Sequence, residues 1–144
     1  MKSIGSVLQC LVLIASICVI PGCSQTNDET SKLVGDWTGD STCVNKEKFP
    51  ACNDEKVVYH LKSVAGKANV VNLSADKIVN GKPEFMGEFD FVYDPRKQTL
   101  TSEFKNERVH LLLEFLVKGD ILEGSMISLP DRTQARQMRV TKNK

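Results

Sequence analysis

The two histidines, His60 and His110, are the side chains best suited to proton transfer near neutral pH. Each lies in a segment of alternating polar and apolar residues, on the polar face of a predicted strand. Glu114 shares a face with His110, but four residues of extended chain separate the two by about 13 Å. General acid–base catalysis requires hydrogen-bond contact, so this spacing predicts surface histidines and a protein that is not an enzyme.

The carboxylates of Asp36, Asp40 and Asp54 flank the first predicted strand and its loop, and oxygen ligands of this kind bind Ca²⁺. Their spacing does not match a metal-binding loop, so we expect solvated loop residues, with no metal and no cofactor. The sequence also contains no glycine-rich phosphate loop, zinc-finger pair or nucleophile elbow. The motifs therefore favour a binding or structural role.

The charges of the chain nearly cancel, with 19 basic and 18 acidic residues among 144. Removal of residues 1–22, which contain one Lys and no acidic residue, leaves 18 charges of each sign. Nucleic-acid binding depends largely on clustered positive charge, so we expect no nucleic-acid partner. Apolar residues make up 41% and charged residues 26%, which is the balance of one small globular domain.

Residues 1–22 differ in composition from the rest of the chain and predict an export signal. Lys2 provides a positive start, and residues 4–20 form an apolar run shorter than the roughly 20 residues of a membrane span. The sequence Ile20-Pro21-Gly22-Cys23 then resembles the lipobox of bacterial lipoproteins, in which the cysteine is lipidated and becomes the new N-terminus. A simple secretory signal and an uncleaved anchor are the alternatives.

The lipobox resemblance implies a membrane anchor at Cys23. Ser24 follows it, and in Gram-negative lipoproteins a residue other than Asp at this position goes with export to the outer membrane. We therefore expect the protein at the inner leaflet of the outer membrane, facing the periplasm. Residues 24–31 contain no apolar side chain and predict a flexible tether. The expected organisation is a signal at 1–22, a lipidated cysteine and tether at 23–32, and a folded domain at 33–142.

The five cysteines reduce to one pair after export. Cys10 and Cys18 leave with the signal and Cys23 is lipidated, so Cys43 and Cys52 remain. A single pair in an oxidising compartment is expected to form a disulfide. Metal binding is the alternative, but eight residues separate these two cysteines and no histidine lies near them.

The rest of the chain predicts an all-β domain, because short alternating segments recur between clusters of Gly, Asn, Asp and Pro. The eight predicted strands cover residues 33–42, 56–64, 68–76, 85–93, 98–104, 108–117, 120–129 and 134–141. The leucine-rich residues 109–117 also fit a helix, although the Gly119-Asp120 turn that follows favours a hairpin. Short links indicate an antiparallel up-and-down meander, and closure into a barrel would remove both exposed edges.

Alternation assigns an inner face to several strands. The residues expected to face inward and, in a hollow barrel, to face a ligand are Tyr59, Phe85, Phe89, Phe91, Leu113 and Phe115; Val57, Leu61, Tyr93, Val109, Leu111 and Val117 share these faces. An eight-stranded barrel is either filled by its own side chains or holds one small ligand. We expect a mostly filled interior with no polar side chain facing inward.

The Gly35-Asp36-Trp37 sequence on the first strand resembles the opening of lipocalin and avidin-like barrels, collectively the calycins. In those families the tryptophan closes one end of the barrel and a basic residue near the last strand packs across it. The resemblance implies the first role for Trp37 and the second for Arg136 or Arg139. A large core residue after a turn is the plainer interpretation of Trp37.

Together these features predict a non-catalytic envelope lipoprotein whose lipocalin-like barrel binds a small apolar ligand or a protein partner. One alternative is a protein-binding or inhibitory module, since residues 63–68 resemble the glycine-containing binding loop of small lipid-anchored lysozyme inhibitors. A second alternative is a structural or stress-related envelope protein that binds no small ligand.

Overall fold

The computed structural model describes residues 29–144, which form eight antiparallel strands closed into a barrel. A turn of 3-10 helix (Ser31–Leu33) precedes them. The strands are β1 (Gly35–Cys43), β2 (Glu55–Val64), β3 (Lys67–Val79), β4 (Lys82–Asp94), β5 (Thr99–Lys105), β6 (His110–Lys118), β7 (Ile121–Ser128) and β8 (Thr133–Lys142). Each strand pairs with the next one, and β8 pairs with β1. The predicted all-β meander and its closure are therefore confirmed.

The signal and lipidation site expected at residues 1–23 lie outside the described residues. Within residues 29–144, no helix is long and apolar enough to cross a membrane. Thr30, which was expected to belong to a flexible tether, is instead buried, and its carbonyl accepts a hydrogen bond of 2.9 Å from Leu33 N. The folded part of the chain thus begins before residue 33.

The turn between β3 and β4 shows how local sequence sets the length of the strands. Asn80 and Gly81 have positive φ values of 52° and 77°, the backbone of a two-residue hairpin turn that Asn-Gly favours. Because the turn uses only these two residues, β3 and β4 each extend about three residues beyond the predicted bounds. Residues 110–118 are a strand, as the hairpin interpretation requires.

Two predicted inward positions are wrong. β4 contains a bulge at Met86, because Ala75 pairs with Gly87 while Asp76 pairs with Phe85. The extra residue reverses the alternation, so Phe85 turns outward and is 67% exposed. Val109 is exposed as well: it precedes β6 in a turn, where Asn106 Oδ1 accepts a hydrogen bond of 2.8 Å from its N–H.

One end of the barrel is closed by packed side chains, and we call it the closed end. Trp37 is fully buried there, and its Nε1 donates a hydrogen bond of 2.9 Å to Leu33 O. Lys142 Nζ lies 5.7 Å from the Trp37 ring centroid and donates to Lys32 O at 2.7 Å. The cation beside the tryptophan is therefore Lys142, and neither arginine suggested by the resemblance has this place.

Arg139 and Arg136 lie elsewhere for a geometric reason. Arg139 points to the outer face of β8 and pairs with Glu123 of β7. Arg136 lies at the opposite end of the strand, beside the start of β2. Only the last residues of β8 reach the closed end, since Trp37 pairs with Lys142 in the register of β1 and β8.

The other end of the barrel carries the disulfide, and we call it the mouth. Cys43, the last residue of β1, is bonded to Cys52 with a Cα–Cα distance of 6.0 Å, which confirms the predicted pair. The loop between them runs beside the mouth, and the two residues that follow Cys52 bind to the barrel. Cys43 N donates to Asp54 Oδ1 at 2.9 Å, and Arg136 donates to Asn53 O at 2.6 Å.

Candidate functional site

The interior is filled at the closed end and hollow at the mouth. A cavity of about 140 Å³ opens at the mouth, and we call it the mouth cavity. Its wall consists of Ser41, Glu55, Tyr59, Leu73, Ala75, Met86, Phe89, Phe91, Leu113, Phe115, Met126, Arg136 and Met138. These residues come from every strand except β5, so the site depends on closure of the barrel.

Five of the six residues predicted to face a ligand line this cavity, namely Tyr59, Phe89, Phe91, Leu113 and Phe115. The sixth, Phe85, lies outside because of the bulge at Met86. That bulge brings Met86 to the cavity wall in its place. A second bulge, in β8 opposite Met126 and Ile127, changes the alternation near Arg136 in the same way. Regular alternation of inward and outward residues therefore could not predict that Met86 and Arg136 face the cavity.

The floor of the mouth cavity is aromatic. The Phe115 ring lies between Tyr59 and Phe91, with ring centroids 5.9 Å and 5.7 Å away. Gly124 of β7 makes this position available, because a Cβ there would overlap the Phe115 ring and lie 2.7 Å from Glu114 O. The ring edges and faces give an apolar contact surface for a ligand.

One side of the cavity is polar, which contradicts the expected apolar interior. Arg136 donates a hydrogen bond of 2.6 Å to Ser41 Oγ, and its other terminal nitrogen lies 3.1 Å from Glu55 Oε2. The Arg136 side chain is 13% exposed and that of Glu55 is 23% exposed. Because the two charges neutralise each other, this side presents polar atoms with no net charge.

Tyr59 brings a hydroxyl group into the same region. Burial raises the pKa of this phenol to about 12; Glu55 acts in the same direction, whereas Arg136 and a hydrogen bond with Ser41 lower it. Tyr59 is therefore neutral at any physiological pH and presents an O–H group. A neutral hydroxyl beside a paired charge suits a ligand whose buried part is uncharged.

The histidines lie outside the mouth cavity, on the outer face of the barrel. His60 Nδ1 is 2.6 Å from Asp36 Oδ1, and His60 Nε2 is 3.2 Å from Asp76 Oδ2. The hydrogen bond with Asp36 contributes most to raising the pKa of His60; burial opposes it, and Asp76 raises it further. His110 Nε2 is 2.5 Å from Glu103 Oε1.

The three aspartates near β1 are separated in the structure. Asp36 contacts His60, Asp40 lies 2.5 Å from Lys56 Nζ, and Asp54 accepts from Cys43 N. Among residues 29–144, no three His, Cys, Asp or Glu side chains are grouped so that they could hold a metal ion.

The barrel wall is incomplete beside the mouth cavity. β4 and β5 form only three residue pairs, from Val92 with Thr101 to Asp94 with Thr99, whereas all seven residues of β5 pair with β6. In the described part of the chain, β4 before Val92 has a strand neighbour only on its β3 side. We call residues 87–91 the free edge of β4.

A wider hollow of about 410 Å³ adjoins the mouth cavity on the outside. It lies between the disulfide loop and the start of β6, where Phe49, Arg108 and Leu111 contribute to its wall. Met126 and Arg136 belong to both walls.

Neither a family model nor a curated protein matches this chain. The assignment of the fold therefore rests on the strand pairing. The candidate site rests on the geometry of the mouth cavity.

Proposed function

We propose that this protein is a non-catalytic lipoprotein of the bacterial envelope, with a lipocalin-like barrel that binds one small apolar group in its mouth cavity. The mouth cavity is the observation that carries the proposal. It is concave, mostly apolar and bordered by a few polar atoms, which is the general character of ligand sites.

The size of the cavity limits what it accepts. Sites that enclose a drug-sized ligand measure about 300–1,000 Å³. A cavity of about 140 Å³ is smaller, and engineered apolar cavities near 150 Å³ bind a molecule the size of benzene. The buried part of the ligand is therefore a single ring or a short branched alkyl group.

The envelope location and the lipid anchor are supported by the sequence of residues 1–24, and by a disulfide that suits an oxidising compartment. The absence of catalysis is supported by the position of His60 and His110. Both lie on the outer face of the barrel, where they form hydrogen bonds with Asp36 and Glu103. Neither histidine belongs to the wall of the mouth cavity.

Benzene binding tests this function directly. Met86, Met126 and Met138 all line the cavity, so their ¹³C-labelled methyl groups report on its occupancy by NMR. We expect benzene to shift these signals in the full-length protein held in lipid nanodiscs. Ala75→Leu fills the cavity with three additional carbons and should abolish the shifts.

Ala68→Leu is the matched control, since it makes the same change at an exposed position of the same strand. It should leave the benzene shifts intact. Methionine signals that do not move in the wild-type protein, while the spectrum shows a folded barrel, would refute the proposed function.

A further inference from the structure

We propose that the free edge of β4 binds an extended peptide as an added strand, with one apolar side chain of that peptide in the mouth cavity. The inference rests on the proposed function, because it identifies which molecule carries the small apolar group. Its chemical class is a short polypeptide segment in β conformation, supplied by another protein.

Backbone chemistry is the first reason. A strand with no neighbour on one side leaves N–H and C=O groups that another strand can pair with, and peptide recognition by strand addition uses such edges. β4 is protected at its beginning by Pro83, which lacks an N–H, and by the bulge at Met86. Residues 87–91 contain neither a proline nor a bulge. They are long enough to pair with a peptide of about five residues.

Proximity to the cavity is the second reason. Phe89 and Phe91 belong to the free edge and also line the mouth cavity. Across the gap, Phe104 of β5 meets Phe89 edge to face, with ring centroids 5.9 Å apart. Side chains of an added strand alternate between the two faces, so at least one of them is directed toward the interior. The cavity is large enough for one aromatic ring on such a side chain.

Charge is the third reason, and it specifies the neighbouring residues of the peptide. Glu88 lies on the outer face of the free edge, and within residues 29–144 it has no ion-pair or hydrogen-bond partner. The nearby acids are paired: Glu84 with Lys77, and Asp90 with Lys67. A basic residue beside the apolar one would therefore find an unpaired carboxylate.

The probe that follows from these three features is the peptide acetyl-Thr-Lys-Phe-Lys-Thr-amide. It is titrated by calorimetry into the full-length protein in zwitterionic nanodiscs, with empty nanodiscs as the reference. We expect saturable binding and slower hydrogen–deuterium exchange at residues 87–91, because their backbone amides gain partners.

A second peptide with the same side chains and with every backbone amide N-methylated separates strand addition from simple filling of the cavity. It cannot donate backbone hydrogen bonds, so we expect binding about tenfold weaker or worse. Equal binding of the two peptides would overturn the inference. Exchange protection confined to residues away from the free edge would do the same.

Charge reversal at Glu88 tests the contact on the outer face. Glu88→Lys should weaken binding of the unmethylated peptide by about fivefold and leave benzene binding unchanged. Asp120→Lys, in the turn between β6 and β7 at the closed end, changes the net charge equally and should leave both unchanged. Equal weakening by both variants would show non-specific attraction and overturn the proposal.

The outcomes separate this inference from the proposed function. Benzene binding without peptide binding overturns the inference and leaves the function standing. Loss of both benzene binding and peptide binding overturns the inference and the proposed function. Protection of residues 87–91 that depends on protein concentration, with no effect of the peptide, would assign the free edge to a second copy of the chain and likewise overturn the inference.

Discussion

At the scale of single residues, Arg136 joins three parts of the mouth. Its guanidinium contacts Ser41 of β1, Glu55 of β2 and the carbonyl of Asn53, which directly follows the disulfide loop. Arginine suits this place because its planar donors reach several acceptors at once. The alternation pattern alone gave no sign of these contacts, since partners distant in sequence meet only after the barrel closes.

Removal of the Arg136 charge should therefore destabilise the protein. Arg136→Met leaves Glu55 mostly buried with no cation beside it, at a cost of about 2 kcal/mol in the free energy of unfolding. Urea denaturation measures this loss. The double variant Arg136→Met with Glu55→Gln should recover part of the stability, and a single variant as stable as the wild type would contradict the assigned role.

His60 makes the stability of the protein depend on pH. Its contacts with Asp36 and Asp76 raise the pKa above the ordinary value of 6.5, so the folded protein binds the proton more tightly than the unfolded chain. The stabilisation is fully present below pH 6.5 and is lost as the pH rises through the pKa of the folded state.

The difference in unfolding free energy between wild type and His60→Gln should accordingly be larger at about pH 5.5 than at about pH 9. Chemical denaturation at both pH values measures this difference, and NMR titration of the His60 imidazole measures its pKa. Asp36→Asn should reduce the pH dependence, because it removes the partner that raises the pKa most. A difference that grows with rising pH would contradict this account.

At the scale of secondary-structure elements, the strands could be predicted but the bulges could not. Alternation and Asn-Gly or Gly-Asp turns are local signals, and the eight strands follow from them. A bulge adds one residue and has no characteristic side chain, so the sequence does not predict it. For this reason the sequence did not show that Phe85 faces outward and that Met86 lines the cavity. Lys142 likewise meets Trp37 through the register of β1 and β8, which depends on closure.

The packing of β7 against β6 depends on Gly124. Gly124→Ala places a Cβ against the Phe115 ring, which must move toward the mouth cavity. We expect a loss of about 1–3 kcal/mol in stability, together with weaker benzene binding. Gly87→Ala is the comparison, since its Cβ would lie 3.1 Å from a Phe89 ring carbon and requires a smaller movement. Equal effects of the two variants would contradict this role of Gly124.

At the scale of the whole molecule, the two ends of the barrel differ in what they can do. The 3-10 helix, Trp37 and Lys142 fill the closed end, where the described chain begins and β8 ends. The mouth, at the other end, carries the cavity and the disulfide loop. An anchor that precedes residue 29 would therefore join the barrel at its closed end and leave the mouth free for a ligand.

The proposed lipidation of Cys23 makes a prediction about location. Stable anchoring requires more than one acyl chain, and a lipidated N-terminal cysteine satisfies this requirement. Cys23→Ser should shift the protein from the membrane fraction to the soluble periplasmic fraction, or block its processing. Fractionation followed by N-terminal sequencing measures the change. Normal processing at residue 23 with unchanged membrane retention would contradict lipidation.

The central claim is that the mouth cavity is an accessible, mostly apolar site for one small group. A crystal exposed to xenon gas tests it most directly, because xenon occupies apolar cavities without needing hydrogen bonds. The account predicts one xenon atom in contact with Phe91, Phe115 and Met138. A crystal structure in which side chains fill this space, or in which ordered water occupies it and xenon does not enter, would contradict the account.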